Sequence, residues 1–227
     1  MKRLLAVFLL ISSQTMAQKL VIQDNVRFLA LGDSYTIGES VTKASRWPFL
    51  LIDSLHSRGI DGLEPSIIAT TGWRTDDLKK AISKAKLKPE YTLVSLLIGV
   101  NNFFQGKTVE AFAPEFEELL LTAIRLAKGN KSSVFVVSIP DYGYTPFGKD
   151  NQEKITKGIN SFNEVSKRIT EALGVKYINI TDISRRGIHE PDLIATDGLH
   201  PSEKMYAEWV LRIISESKIE AAKAEEN

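Results

Sequence analysis

The sequence predicts one α/β domain, a three-layer sandwich around a five-stranded parallel sheet with the flavodoxin-like strand order 2-1-3-4-5. Three observations predict it. Short apolar runs alternate with longer amphipathic stretches from residue 26 onward, the pattern of strands joined by right-handed helical crossovers. The runs at 91–98 and 133–139 are apolar nearly throughout, as in strands covered on both faces. No repeat, linker or shift of composition divides the 227 residues, a length that suits a single domain.

Taken in order, the first strand covers Val26 to Leu31 and runs into Gly32-Asp33-Ser34, a glycine-closed turn. That turn places Ser34 at the carboxyl edge of the sheet, where open α/β folds bind ligands. Arg46-Trp47-Pro48 opens a helix that ends at Arg58-Gly59, with proline in its first turn and glycine at its end. Residues 65–69 form a second strand, Thr70 to Thr75 a turn, and a helix runs from Asp77 to about Lys86. The third strand, 91–98, ends in Gly99-Val100-Asn101-Asn102. Phe112, Phe116, Leu119, Leu120 and Ala123 then mark one stripe of a helix over 109–128.

The fourth strand, 133–139, is stopped by Pro140 and followed by the aromatic loop from Asp141 to Phe147. Ile155, Ile159, Phe162, Val165, Ile169 and Leu173 recur at threes and fours, giving a long helix that ends at Gly174. Residues 175–180 form the fifth strand, and a loop leads to His200. Pro201 opens the last helix, with Met205, Trp209, Ile213 and Ile214 inward; the charged tail after about Ser217 is expected to fray. Every strand then ends on one edge, so Ser34, Gly72, Asn101 and the aromatic loop are expected to be neighbours.

Lys2-Arg3, the apolar stretch Leu4 to Ile11 and the small residue Ala17 before Gln18 have the layout of a secretory signal peptide. We expect residues 1–17 to be cleaved, leaving a periplasmic or secreted domain over 18–227; the alternative, an uncleaved anchor, needs roughly 20 apolar residues. The absence of cysteine excludes disulfides, thiolate metal sites and a cysteine nucleophile. A formal charge of +1 with both signs interspersed gives no stripe for nucleic acid and no polybasic membrane patch. Three scattered histidines without cysteine offer no metal-ligand cluster, and no cofactor is expected.

Of the histidines, His56 falls within the first helix and His189 in a charged loop, whereas His200 stands in Asp197-Gly198-Leu199-His200-Pro201. An acid three residues before a histidine can hold one ring nitrogen and leave the other for a substrate, the arrangement of a general base. The same motif also serves as an ordinary Asp-capped turn.

Taken together, Gly32-Asp33-Ser34, Gly72, Gly99-Val100-Asn101-Asn102 and Asp197-Gly198-Leu199-His200 resemble, in order and spacing, the blocks of the SGNH hydrolases, the GDSL lipase and esterase superfamily. The resemblance implies Ser34 as nucleophile and His200 as general base oriented by Asp197. It also implies an oxyanion hole made by the Ser34 and Gly72 N–H groups and the Asn101 amide. The chemistry asks for the same types: a serine needs a base to remove its proton, and a tetrahedral oxyanion needs fixed donors. Asn102 departs from the family, which often has an acid there. Asp33 reads as a structural acceptor of turn N–H groups.

Aromatic residues crowd the predicted edge, and Trp47, Phe103, Tyr142 and Tyr144 are the candidates for contact with substrate, alongside Trp73, Phe104 and Phe147. The expected reaction is hydrolysis of carboxylic esters, either lipid acyl or carbohydrate O-acyl, through an acyl-serine. Two alternatives stay open: an acyltransferase with the same residues, and a non-catalytic glycan- or lipid-binding module.

Overall fold

The computed structural model describes residues 19–220. The predicted signal peptide, residues 1–17, lies outside the described residues. Phe28–Gly32 (β2) is buried at every position and sits inside a five-stranded sheet. It pairs on one side with Ser66–Ala69 (β3) and on the other with Leu93–Leu97 (β4). Beyond β4 lie Val134–Val137 (β5) and Lys176–Ile178 (β6). All four pairings are parallel, and the order β3-β2-β4-β5-β6 is the predicted 2-1-3-4-5 counted from the first predicted strand.

Helices cover both faces. Trp47–His56 (α2) packs against Glu203–Ser215 (α8), while Thr75–Ala85 (α3), Val109–Leu126 (α5) and Gln152–Ala172 (α6) pack in series, α5 between the other two. β2, β4 and β5 bury every residue, as their unbroken apolar runs require. On the α2 side the Trp47 ring lies 5.8 Å from Phe28 and 6.3 Å from Phe135, a cluster that bridges helix and sheet.

Two features differ from the expectation. Ser217–Glu220 does not fray: it forms a strand (β7) that pairs in parallel with Leu20–Gln23 (β1), a strand missed in the sequence. The reason is burial, because Leu20 and Ile22 enter the core and β7 covers their edge. The predicted loop after β6 contains one α-helical turn, Thr181–Ser184 (α7), and one 3-10 turn, Pro191–Leu193. No described helix is long and apolar enough to cross a membrane.

Candidate active site

β2 delivers Ser34 through a turn with almost no free space. A Cβ on Gly32 would lie 2.1 Å from Thr36 Oγ1 and 2.5 Å from the Leu97 carbonyl, so only glycine fits. Asp33 caps the short helix Ser34–Ile37 (α1), its Oδ1 accepting from the Tyr35 N–H at 3.1 Å. Burial pushes the Asp33 carboxyl up to about 8 against the pull of that N–H, because no charge partner compensates the lost water. Its other oxygen has no hydrogen-bond partner among the described residues. Asp33 is therefore the structural acceptor the sequence implied, and Ser34 is left at the mouth of the turn.

The second wall comes from the ends of β3 and β4. Gly72 turns with φ +83°, in the left-handed region that glycine enters at no steric cost. Gly99, at φ +130°, opens the short helix Val100–Phe104 (α4), which carries Asn101. Asn101 Nδ2 donates to the Trp73 carbonyl at 3.1 Å, and Gln105 Nε2 donates to the Gly72 carbonyl at 3.0 Å. One amide in α4 and one just past its end thus hold the turn that presents Gly72. Asn101 keeps a second N–H in hand.

The third wall is the loop before α8. Asp197 Oδ1 accepts the N–H groups of Leu199 and His200 at 2.9 and 3.0 Å; Oδ2 accepts His200 Nδ1 and the Ser40 hydroxyl, both at 2.6 Å. Burial raises the Asp197 carboxyl, but these donors, Ser40 foremost, outweigh it and hold the group well below the usual carboxylate range. A carboxylate on Nδ1 leaves Nε2 of His200 for the pocket. The edge of the Tyr35 ring meets the His200 ring, 5.7 Å between centroids, which fixes the plane of the imidazole.

Ser34, Gly72, Asn101 and His200 line one cavity of about 250 Å³, with Tyr35, Thr71, Val100, Phe104, Tyr142, Phe147 and Leu199 as its other walls. The lining joins these polar groups to the apolar side chains of Val100, Phe104, Phe147 and Leu199. Burial and then the Asp141 charge push the Tyr142 hydroxyl up to about 12, so it stays neutral at working pH. Among the described residues no cluster of three His, Cys, Asp or Glu side chains is placed to hold a metal ion.

Of the four predicted substrate contacts, Tyr142 alone lines this cavity. Trp47 is fully buried among Phe28 and Phe135, because position 47 falls on the inner stripe of α2 with Leu51 and Leu55. Phe103 turns away toward α6, where its ring packs 5.9 Å from Phe162 and fills the space beside Gly158. Tyr144 borders a separate groove along α6 with Gln152, Thr156 and Asn160. Phe104 and Phe147 take the places expected of them, more than half exposed at 58% and 55% and 6.3 Å apart. His56 binds the Gly62 carbonyl and His189 is solvent-exposed, both away from the cavity. Ser40, Thr71, Val100 and Leu199 were missed; the last three stand next to motif residues.

The chain belongs to the GDSL-like lipase/acylhydrolase family, whose model matches residues 30–208. It is thus a hydrolase of the GDSL esterase and lipase type. Solved structures share the fold at low identity. A lipase/acylhydrolase from Enterococcus faecalis is 22% identical, with TM-score 0.64 over 84% of this chain and 94% of its own. The acetylxylan esterase Axe2 from Geobacillus stearothermophilus is 16% identical, with TM-score 0.68 over 86% and 95%. The psychrotrophic esterase EstA from Pseudoalteromonas is 17% identical, with TM-score 0.65 over 85% and 96%. A search of curated protein sequences returns no match.

Proposed function

We propose that the cavity hydrolyses carboxylic esters through an acyl-serine intermediate on Ser34. The observation that carries the reading is the Asp197–His200 pair, joined at 2.6 Å, on the wall of the cavity that also holds Ser34 and Asn101. Ser34 Oγ attacks the acyl carbonyl while its proton passes to His200 Nε2. The Ser34 and Gly72 N–H groups and the remaining Asn101 N–H meet the oxyanion. Collapse breaks the ester C–O bond, and the leaving alcohol takes the proton from Nε2. Water then attacks the acyl-enzyme by the same route, returning Ser34 and an acid. Asp197 stays ionised throughout and keeps the imidazole in the Nδ1–H tautomer.

The apolar wall of Val100, Phe104, Tyr142, Phe147 and Leu199 suits the acyl group or an acylated sugar face of a lipid or glycan ester. We also propose that residues 1–17 export the protein to the periplasm or medium, which favours envelope lipids or glycans over intracellular thioesters as substrates. Mass measurement of the protein recovered from outside the cytoplasm tests this: a chain starting at Gln18 supports it, and one retaining Met1 overturns it.

The test of activity is a p-nitrophenyl ester series, acetyl to dodecanoyl, with purified residues 18–227 and Ser34→Ala as control. Turnover lost in the control supports the mechanism. Equal turnover by both proteins, or equal inertness on every ester, overturns it.

A further inference from the structure

We propose that Ser40 is a positioning residue for the Asp197–His200 pair: its hydroxyl pins the carboxylate oxygen to which the imidazole is bound. The inference rests on the proposed hydrolytic site. Asp197 has four hydrogen-bond donors, and three of them, the N–H groups of Leu199 and His200 and His200 Nδ1, come from its own loop. The fourth is Ser40 Oγ at 2.6 Å, 157 residues away in sequence. Ser40 lies just beyond α1, the helix that begins with Ser34. Its bond therefore ties the acid to the segment that carries the nucleophile, and sets the distance between two walls of the cavity.

The backbone supports this role. Ser40 has φ +66°, a left-handed conformation that costs a non-glycine residue strain and persists where surrounding contacts impose it. Two positions earlier Gly38 has φ +70°, so the chain reverses sharply here. The neighbour Glu39 accepts a hydrogen bond from Thr71, the residue before Gly72. One reverse turn thus braces both other walls: Ser40 reaches the acid–base loop and Glu39 the Gly72 turn. Nothing in the local sequence Gly38-Glu39-Ser40 reveals this, because both partners arrive from loops distant in sequence.

The electrostatic consequence has a definite sign. Ser40 and His200 Nδ1 share Oδ2, so the hydroxyl draws negative charge away from the oxygen that would stabilise an imidazolium. Without it that charge returns to Oδ2, and the acid limb of the pH–rate profile moves to higher pH. Tyr35 packs against the His200 ring, and Tyr206 feels the Asp197 charge; Asp33, Glu39 and Arg46 also act on Tyr206, and Asp33, Asp141 and Tyr142 on Tyr35. Burial pushes the Tyr35 and Tyr206 hydroxyls well above their ordinary value, so they stay neutral. Asp33, pushed up to about 8, titrates on the alkaline side.

The experiment compares Ser40→Ala, Ser40→Gly and Ser34→Ala with the wild-type protein. Both Ser40 variants lose the hydroxyl, but glycine relaxes the left-handed backbone and alanine does not. We expect kcat/KM on the best ester to fall roughly tenfold in both, with KM within about twofold of wild type, as for loss of one hydrogen bond to a charged group. The acid limb of the pH–rate profile should move to higher pH. Ser40→Gly should melt no lower than Ser40→Ala. Activity that follows melting temperature instead of the hydroxyl, or an unmoved acid limb, overturns the positioning role even where Ser34→Ala is inert. Full activity in Ser34→Ala overturns the hydrolytic reading itself and the role of Ser40 with it.

Discussion

The amide of Asn102 grips Thr75 twice: Oδ1 accepts the Thr75 N–H at 3.1 Å, and Nδ2 donates to Thr75 Oγ1 at 2.7 Å. The Thr75 hydroxyl in turn donates to Glu115. The chain of donors therefore runs one way, from Asn102 through Thr75 to Glu115, and fastens the start of α3 behind the Gly72 turn. Asn102 stands where the family resemblance leads one to expect an acid, and its amide supplies one acceptor and one donor to Thr75.

An acid at this position would give the Thr75 hydroxyl two carboxylates and one proton to share. Asn102→Asp should destabilise the fold by about 1–3 kcal/mol, the cost of an unmet buried polar group, since Asn102 is 2% exposed. Asn102→Asp with Glu115→Gln restores a consistent chain and should recover most of the loss. Urea unfolding of the two single variants and the double variant measures the coupling.

Asp33 makes stability depend on pH. Its folded value of about 8 lies above the ordinary 3.8, so between about pH 4 and 8 the native state holds a proton that the unfolded state has released. Stability contributed by this group is then full below about pH 4 and falls as pH rises, by up to about 1.4 kcal/mol per pH unit in that window. Asp33→Asn keeps the acceptor for the Tyr35 N–H and should flatten the slope. Unfolding midpoints at pH 5 and pH 8 check it: a wild-type protein as stable at pH 8 as at pH 5 contradicts the assignment.

Two glycines of the site should respond differently to alanine. A Cβ at Gly32 collides with the Leu97 carbonyl and Thr36, whereas one at Gly72 meets nothing within 4 Å and only the φ of +83° resists it. Gly32→Ala should cost about 3 kcal/mol. Gly72→Ala should cost about 1–2 kcal/mol in stability and lower kcat roughly 10- to 100-fold by shifting its N–H. Thermal unfolding and ester kinetics separate the two.

Phe147 is mostly exposed yet lines the cavity, so the proposed mechanism gives it contact with the acyl chain more than a share in packing. Phe147→Ala should raise KM for hexanoyl and longer esters about three- to tenfold, equivalent to roughly 0.7–1.4 kcal/mol of apolar burial, and leave acetyl ester turnover near wild type. Equal effects on acetyl and dodecanoyl esters would place the acyl chain elsewhere.

β2, β4 and β5 were legible because burial on both faces leaves apolar runs that need no partner to be recognised, and the partly buried edge strands β3 and β6 because turns and helices bracket them. β1 and β7 were not legible: Ser217-Lys218-Ile219-Glu220 is half charged, and only its pairing with Leu20–Gln23 from the opposite end of the chain makes it a strand. The site followed the same rule. Ser34, Gly72, Asn101, Asp197 and His200 stand in local motifs, while Ser40 owes its place to a contact made across the fold. Trp47 could have been assigned correctly, since the spacing of Trp47, Leu51 and Leu55 already turns it inward.

β1 and β7 run side by side in the same direction, with Leu20 opposite Ser217 and Gln23 opposite Glu220. The chain enters the first at one end of the ladder and leaves the second at the other. Tension between the flanking segments is therefore a shear along the strands, which loads all the bonds of the ladder together. An antiparallel pair at the same place would be peeled open one bond at a time. The small sheet acts as a mechanical clasp, and a pull on the two ends must break it before it reaches the sheet that carries Ser34.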